Sequence, residues 1–307
     1  MTGFVQHFLS LSRHLLLALL ILSAWPFLRE RPVFDGLPDA LVQVDLKPVS
    51  QGSPKGWTLY GAWSLRAEDP RLAGLSGLAC PSFGTLDIVT DTGSSVNMDY
   101  PKPEARRMPA MIAGLEGVGD AEAIGYFGDA TFVAEELRHR LWVLRPGFSP
   151  LALPLPKLEG YANWGVEALL EPGGEADEMV ALLELGTMAY RFAGDEVQLL
   201  PVEGAPMRVT GATRHPDGRG LVLLRQLGAT GFRTALARIV VDSDRVRIGQ
   251  ATPLPLPANA NAEGICVEPR EEGLTRLWIV TDDNGLGLLS QRLVAWDVPD
   301  AAWPKDP

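Results

Sequence analysis

Residues 261–284 read NAEGICVEPREEGLTRLWIVTDDN. Two apolar runs flank a charged, glycine-containing bend, the pattern of two short antiparallel strands joined by a turn. The stretch opens on a carboxylate beside a glycine, Glu263-Gly264, and closes on Asp282-Asp283-Asn284. Acids are seldom placed at the ends of a buried hairpin without a partner, yet the same plan recurs upstream.

Five segments align with it: LSGLA at Leu75, AEAIG at Ala121, VEALL at Val166, TGATR at Thr210 and AEGIC at Ala262. Their second residues are Ser76, Glu122, Glu167, Gly211 and Glu263, at steps of 46, 45, 44 and 52. A second apolar run follows each: LDIVTD, TFVAEE, MVALLE, LVLLRQ and LWIVTD. The period is close to the ~40–45 residues of a four-stranded propeller blade. Counting back one step and forward to the C-terminus gives about six periods. The sequence therefore predicts an all-β fold, a β-propeller of six four-stranded blades, over residues 32–307. A sandwich or barrel is the competing architecture. The last strand-like run, QRLVAWDV, is expected to pair with N-terminal strands and close the ring, which removes exposed edges. Thirty-two glycines and 25 prolines suit many turns and few helices.

Residues 1–31 differ. Arg13-His14 precede the run LLLALLILSAWPFL, and Arg29-Glu30-Arg31 follow it. Fourteen residues are short for a membrane span and normal for a signal-peptide core. The expectation is a signal peptide or an N-terminal anchor, with residues 4–28 as a membrane tether. The protein would then be periplasmic or extracellular, or held at the inner membrane. A hydrophobic helix packed on a cytosolic domain is the alternative. The two cysteines, Cys80 and Cys266, are too few for a disulfide scaffold and read as buried free thiols. The formal charge of −11 disfavours nucleic acid as a partner.

In a propeller, residues that begin the innermost strands converge on one mouth of the axis. Glu122, Glu167 and Glu263 would form part of that ring. Clustered carboxylates raise one another's pKa, and a divalent cation relieves the repulsion. Oxygen ligands point to calcium first. Asp91, Glu136, Glu184, Asp282 and Asp283 sit at the ends of neighbouring strands and could supply further oxygens. The competing role for the glutamates is structural, as acceptors for backbone N–H groups. The fourth repeat breaks the pattern with Gly211 and Arg225. That arginine could hold a substrate anion or neutralise the ring.

Three motifs are weaker than they look. DTGSS at 91–95 matches an aspartic-protease signature, but no second copy exists to share the proton. RHPDGR at 214–219 resembles a phosphatase motif and reads better as a Pro-Asp-Gly turn between strands. GLSGL at 74–78 has its second glycine too early for a nucleophile elbow.

Taken together, GLSGL…VTDTG, GDAEAI, FVAEELRHRLW, NWGVEALL…LLE, VTGATRHPDGRGLVLLRQ and NAEGICV…LWIVTDDN resemble, in order and spacing, the phytase-like family, also called the esterase-like activity of phytase family. The resemblance runs from about Trp57 to Val298. It implies an exported propeller that hydrolyses phosphoric or carboxylic esters. It also implies a Glu-x-x-His-Arg pattern at Glu136, His139 and Arg140, whereas the repeat alone selects Glu135. Thr92 departs from the family, which often has an arginine there. Only Lys102 and Lys157 lie between the first and last blades, so a highly phosphorylated inositol is not the expected substrate. On this reading Glu122, Glu167, Glu263 and Glu136 are catalytic. Arg225 and Arg140 bind substrate, a small-molecule ester. Asp91, Glu184, Asp282 and Asp283 hold a divalent cation, calcium being the first expectation. The alternative is a non-catalytic envelope propeller that binds a ligand or protein partner.

Overall fold

A computed structural model describes residues 34, 37–81, 84–136, 138–156, 158, 165–173, 178–194, 196–271, 273–283, 289–305 and 307. The leader expected over residues 1–31 lies outside them. Among the described residues no helix is long and apolar enough to cross a membrane.

Strands follow one another with almost no helix between them. β1 (Ala40–Pro48) and β2 (Thr58–Arg66) come first. Blade I is β3 (Leu75–Ala79), β4 (Thr85–Thr90), β5 (Ser94–Asp99) and β6 (Arg107–Gly114). Blade II is β7 (Ala121–Phe127), β8 (Ala130–Glu135), β9 (Arg140–Leu144) and β10 (Leu151–Pro154). Blade III is β11 (Val166–Leu170), β12 (Glu178–Leu183), β13 (Met188–Ala193) and β14 (Glu196–Glu203). Blade IV is β15 (Arg208–Arg214), β16 (Gly220–Gly228), β17 (Gly231–Val241) and β18 (Val246–Ile248), with β19 (Thr252–Leu254) also on β17. Blade V is β20 (Asn261–Pro269), β21 (Leu274–Asp282) and β22 (Arg292–Pro299), with β2 as its outermost strand.

The first strands β3, β7, β11, β15 and β20 each pack on the next, and β20 returns to β3, so they ring one axis. This is the expected β-propeller. Its blades number five among the described residues, not the six counted from the period. The described residues before Leu75 build no blade of their own. β2 joins the C-terminal strands, and β1 bridges β2 to β6, linking the outer edges of blades V and I. The expected pairing of QRLVAWDV with an N-terminal strand is present, as β22 on β2.

Each blade interface owns one apolar cluster. Val89, Ile124 and Val133 fill I–II; Leu141, Met179 and Tyr190 fill II–III; Leu170, Val180 and Val222 fill III–IV; Leu223, Ile265 and Ile279 fill IV–V; Trp63, Leu78 and Trp278 fill V–I. Both faces of a blade are therefore covered. That explains why second-strand runs such as LWIVT are apolar without alternation, and β21 is buried over almost its whole length.

The V–I seam carries a covalent staple. Cys80, just past β3, is disulfide-bonded to Cys266 of β20, with Cα atoms 5.7 Å apart at a sequence separation of 186. The expectation of free thiols is corrected. The two cysteines are distant in the chain and adjacent in space because the ring closes between β3 and β20.

Candidate functional site

Every inner strand carries a β-bulge at the same place. The pairing register shifts at Ser76 in β3, Glu122 in β7, Glu167 in β11, Thr210 in β15 and Glu263 in β20. A bulge sets two residues against one and re-aims a side chain. Here it turns Glu122, Glu167 and Glu263 into the axial gap. The next residue is always small: Gly77, Ala123, Ala168, Gly211 or Gly264. Close approach of the strands demands this. A Cβ on Gly264 would stand 2.7 Å from the Leu78 nitrogen, and one on Gly211 3.0 Å from Ile265 Cγ2. The blade IV equivalent of the glutamates is thus Thr210, not Gly211 as the letter alignment had it.

Two strand positions above the bulges, a second tier faces the mouth. The backbone pairs Asp91 with Gly74, Glu136 with Asp120, Glu184 with Gly165, Arg225 with Arg208 and Asp282 with Asn261. This tier selects Glu136 over Glu135. Glu135 is buried within blade II, where it accepts from Trp142 Nε1 at 2.8 Å and from Arg138 Nη1 at 2.9 Å. Asp120 belongs to the site and escaped the sequence reading. Its signal was its place opposite Glu136, two residues before a bulge.

The carboxylates concentrate on blades II and III. Asp120, Glu122 and Glu136 each bring one oxygen within 4.8 Å of the others, and so do Glu136, Glu167 and Glu184. Glu136 is common to both triads. It also accepts the Gly165 N–H at 3.4 Å. Burial pushes Glu122 well above the usual carboxylate range, and the charges of Glu167, Asp120, Glu136 and Glu263 push the same way. Burial likewise raises Glu167, followed by Glu136, Glu263 and Glu184, with Arg225 opposing.

Blade IV answers with positive charge. Arg225 is nearly buried. It donates to Glu263 Oε1 and, at 2.5 Å, to Asn261 Oδ1, and its other nitrogen lies 3.6 Å from Glu184. Burial opposes its charge, but Glu263, Glu167 and Glu184 hold its pKa above the ordinary arginine value. Arg208, half exposed, pairs with Glu184 at 2.7 Å. Burial raises Glu263 to about 7 against the opposing pull of Arg225. Two buried oxygens at this ring lack hydrogen-bond partners among the described residues, Glu263 Oε2 and Thr210 Oγ1.

Of the remaining sequence candidates, Asp91 and Asp282 are buried in the second tier and Asp283 is half-buried just past β21. Arg140 is not brought to the mouth. It begins β9, two strands out from the axis, paired with Glu135. The DTGSS stretch is the β4–β5 turn, with Gly93 at φ +76°. RHPDGR forms the β15–β16 turn, and His215 is buried against Thr275 Oγ1 at 2.9 Å.

Five blades around an acid-lined axis define a β-propeller with a polar axial mouth. The chain belongs to the phytase-like family, described as esterase-like activity of phytase, which it matches over residues 70–285. Comparison with curated proteins returned no match. Among solved structures it resembles a luciferin-regenerating enzyme at 10% identity, covering 87% of this chain and 98% of that one with a TM-score of 0.49. The glutaminyl cyclase of Myxococcus xanthus shares 17% identity over 83% and 100%, at 0.46. A virginiamycin B lyase of Staphylococcus aureus shares 8% over 83% and 99%, at 0.46. Likeness at these levels concerns fold and carries nothing about chemistry.

Proposed function

We propose that the axial mouth hydrolyses phosphoric or carboxylic esters with the help of a divalent cation. The observation that carries this is the pair of carboxylate triads sharing Glu136, with Glu167 and Glu184 buried and Asp120, Glu122 and Glu136 half-buried, a crowding that their own charges oppose. The donor set fits a hard cation. It is all oxygen, it is strongly anionic, and buried oxygens beside it lack partners among the described residues. Asp120, Glu122, Glu136, Glu167 and Glu184 would hold the ion, with calcium the first candidate. Bound there, it would polarise an ester oxygen and lower the pKa of a water.

The chain's own groups supply the rest. Glu263, near 7, is poised to take or return a proton at its unpartnered Oε2. Arg225 and Asn261 fix its other oxygen. Arg208 projects furthest into solvent of the mouth's two arginines and is placed to meet the acid portion of an ester. Asp91, Asp282 and Asp283 complete the negative rim. The disulfide and the hydrophobic leader support an exported protein, periplasmic or extracellular, with residues 4–28 as a possible tether.

The test is turnover of chromogenic phosphate and acyl esters in calcium, magnesium or manganese, and in chelator. Metal-dependent release of chromophore supports the proposal; no turnover of any ester in any of the three metals ends it. A second reading, a non-catalytic ligand-binding propeller, is favoured by the way Arg225 and Arg208 already neutralise Glu263 and Glu184. It predicts that calcium raises the melting temperature while turnover stays at zero.

A further inference from the structure

Glu136 is the carboxylate common to both triads, yet it belongs to blade II while Glu167 and Glu184 belong to blade III. It can serve both only if the turn that carries it is fixed against blade III. That turn joins β8 to β9 and ends on His139. His139 has φ +52°, and among the described residues no other non-glycine residue has a positive φ. Such a backbone costs energy and persists where its surroundings over-determine it, often at functional sites.

Three contacts hold His139. Its N–H donates to the Glu136 carbonyl at 2.9 Å and closes the turn. Its carbonyl accepts from the Leu155 N–H at 3.1 Å, just past β10. Its ring Nε2 lies 2.9 Å from the Tyr190 hydroxyl of β13, across the II–III seam. The two rings meet edge-on, with centroids 5.9 Å apart.

The donor in that last contact follows from its neighbours. Tyr190 is fully buried, and its hydroxyl lies 2.5 Å from the Pro156 carbonyl, which can only accept. Burial pushes Tyr190 up to about 12, so the hydroxyl keeps its proton at neutral pH and gives it to Pro156. Its oxygen is then an acceptor, and His139 donates from Nε2–H. The carboxylate end of the turn is gripped as well. The Glu136 N–H donates to the Asp120 carbonyl at 3.0 Å. The Glu136 side chain lies so close to Gly165 that a Cβ there would overlap Cγ.

We propose that His139 is a positioning residue: through Tyr190 it sets Glu136 against blade III, so that one carboxylate serves both triads. The inference rests on the reading of the mouth as a cation site, and it assigns a role to a residue outside the donor set.

Calorimetric titration of the full chain with calcium tests it, with the melting temperature in chelator measured alongside. His139→Asn keeps a residue type that tolerates the left-handed backbone but is too short to reach Tyr190. Tyr190→Phe removes only the hydroxyl. Each should weaken calcium binding roughly 10–100-fold, the usual effect of losing a group that orients a metal ligand. The double variant should bind no more weakly than the weaker single one, because the two groups act as a unit. His215→Asn, on the opposite face, should leave the affinity unchanged. A residue that serves the fold alone would lower the melting temperature in chelator and leave calcium affinity as it was. That result overturns the proposal, and so does additive loss in the double variant. The unaltered protein gives a readout that needs no variant to fold. Calcium should shift the ring signals of His139 in nitrogen-edited NMR, and calcium binding with those signals unmoved contradicts the proposal. If the unaltered chain binds none of calcium, magnesium or manganese, the cation reading fails and this inference with it. That outcome is distinct from binding that His139→Asn and Tyr190→Phe leave intact, which overturns the inference alone.

Discussion

Raising the pH from 5 to 8 in chelator is expected to weaken the fold, and the mouth sets the size of the effect. Glu263 has a folded pKa of about 7 against a reference of 4.5. A carboxyl raised on folding binds more protons in the native than in the unfolded state across that interval, so stability falls as pH rises. The whole shift corresponds to about 3 kcal/mol, of which about 2.5 kcal/mol falls between pH 5 and 8. Glu122 and Glu167 are raised too and add in the same direction. Carboxyls lowered by ion pairs, such as Asp69 and Asp217, act oppositely but titrate below this window. Urea unfolding at pH 5, 6, 7 and 8 gives the slope directly. Glu263→Gln should flatten it. Calcium at a hundred times its Kd should restore about 2.7 kcal/mol, most visibly at pH 8. Stability that is level or rising from pH 5 to 8 in chelator would refute the reasoning, because the buried acids would then not be charged at a cost.

Other expectations are equally direct. Cys80→Ser or Cys266→Ser should cost up to about 5 kcal/mol, the chain entropy of a 186-residue loop, and the unaltered denatured protein should show no titratable thiol until it is reduced. Gly264→Ala should be strongly destabilising, because its methyl would stand 2.7 Å from both Leu78 N and Val280 Cγ2; thermal unfolding matching that of the unaltered protein would contradict the tight axis. Thr210→Val removes a buried hydroxyl that lacks a partner, so in chelator it should leave stability unchanged or raise it by about 1 kcal/mol, measured by urea unfolding.

Much of this was legible from letters, for a physical reason. Inner strands covered on both faces must be apolar, so acids at their ends stand out, and Glu122, Glu167 and Glu263 could be placed together from spacing alone. Closure by the C-terminal strand was legible because an open ring leaves edges. The blade number was not. β1 and β2 carry no bulge acid, and only pairing shows that β2 completes blade V. Nor was the disulfide, since β3 and β20 become neighbours only when the ring shuts. Thr210 hid for a narrower reason. Alignment followed the glycine, although the bulged residue is followed by glycine or alanine in every blade, a rule that selects Thr210 once seen. Asp120 and Arg208 became visible only through antiparallel register, which sets them opposite Glu136 and Arg225.

The central claim is that the shared carboxylates hold an ion. Crystals soaked in manganese and a phosphate analogue, measured for anomalous scattering, address it most directly. The account predicts an anomalous peak at the mouth within coordination distance of Glu136 and the oxygens of at least one of its two triads, with the analogue beside it. A mouth without a peak, its glutamates turned onto backbone amides, would contradict it.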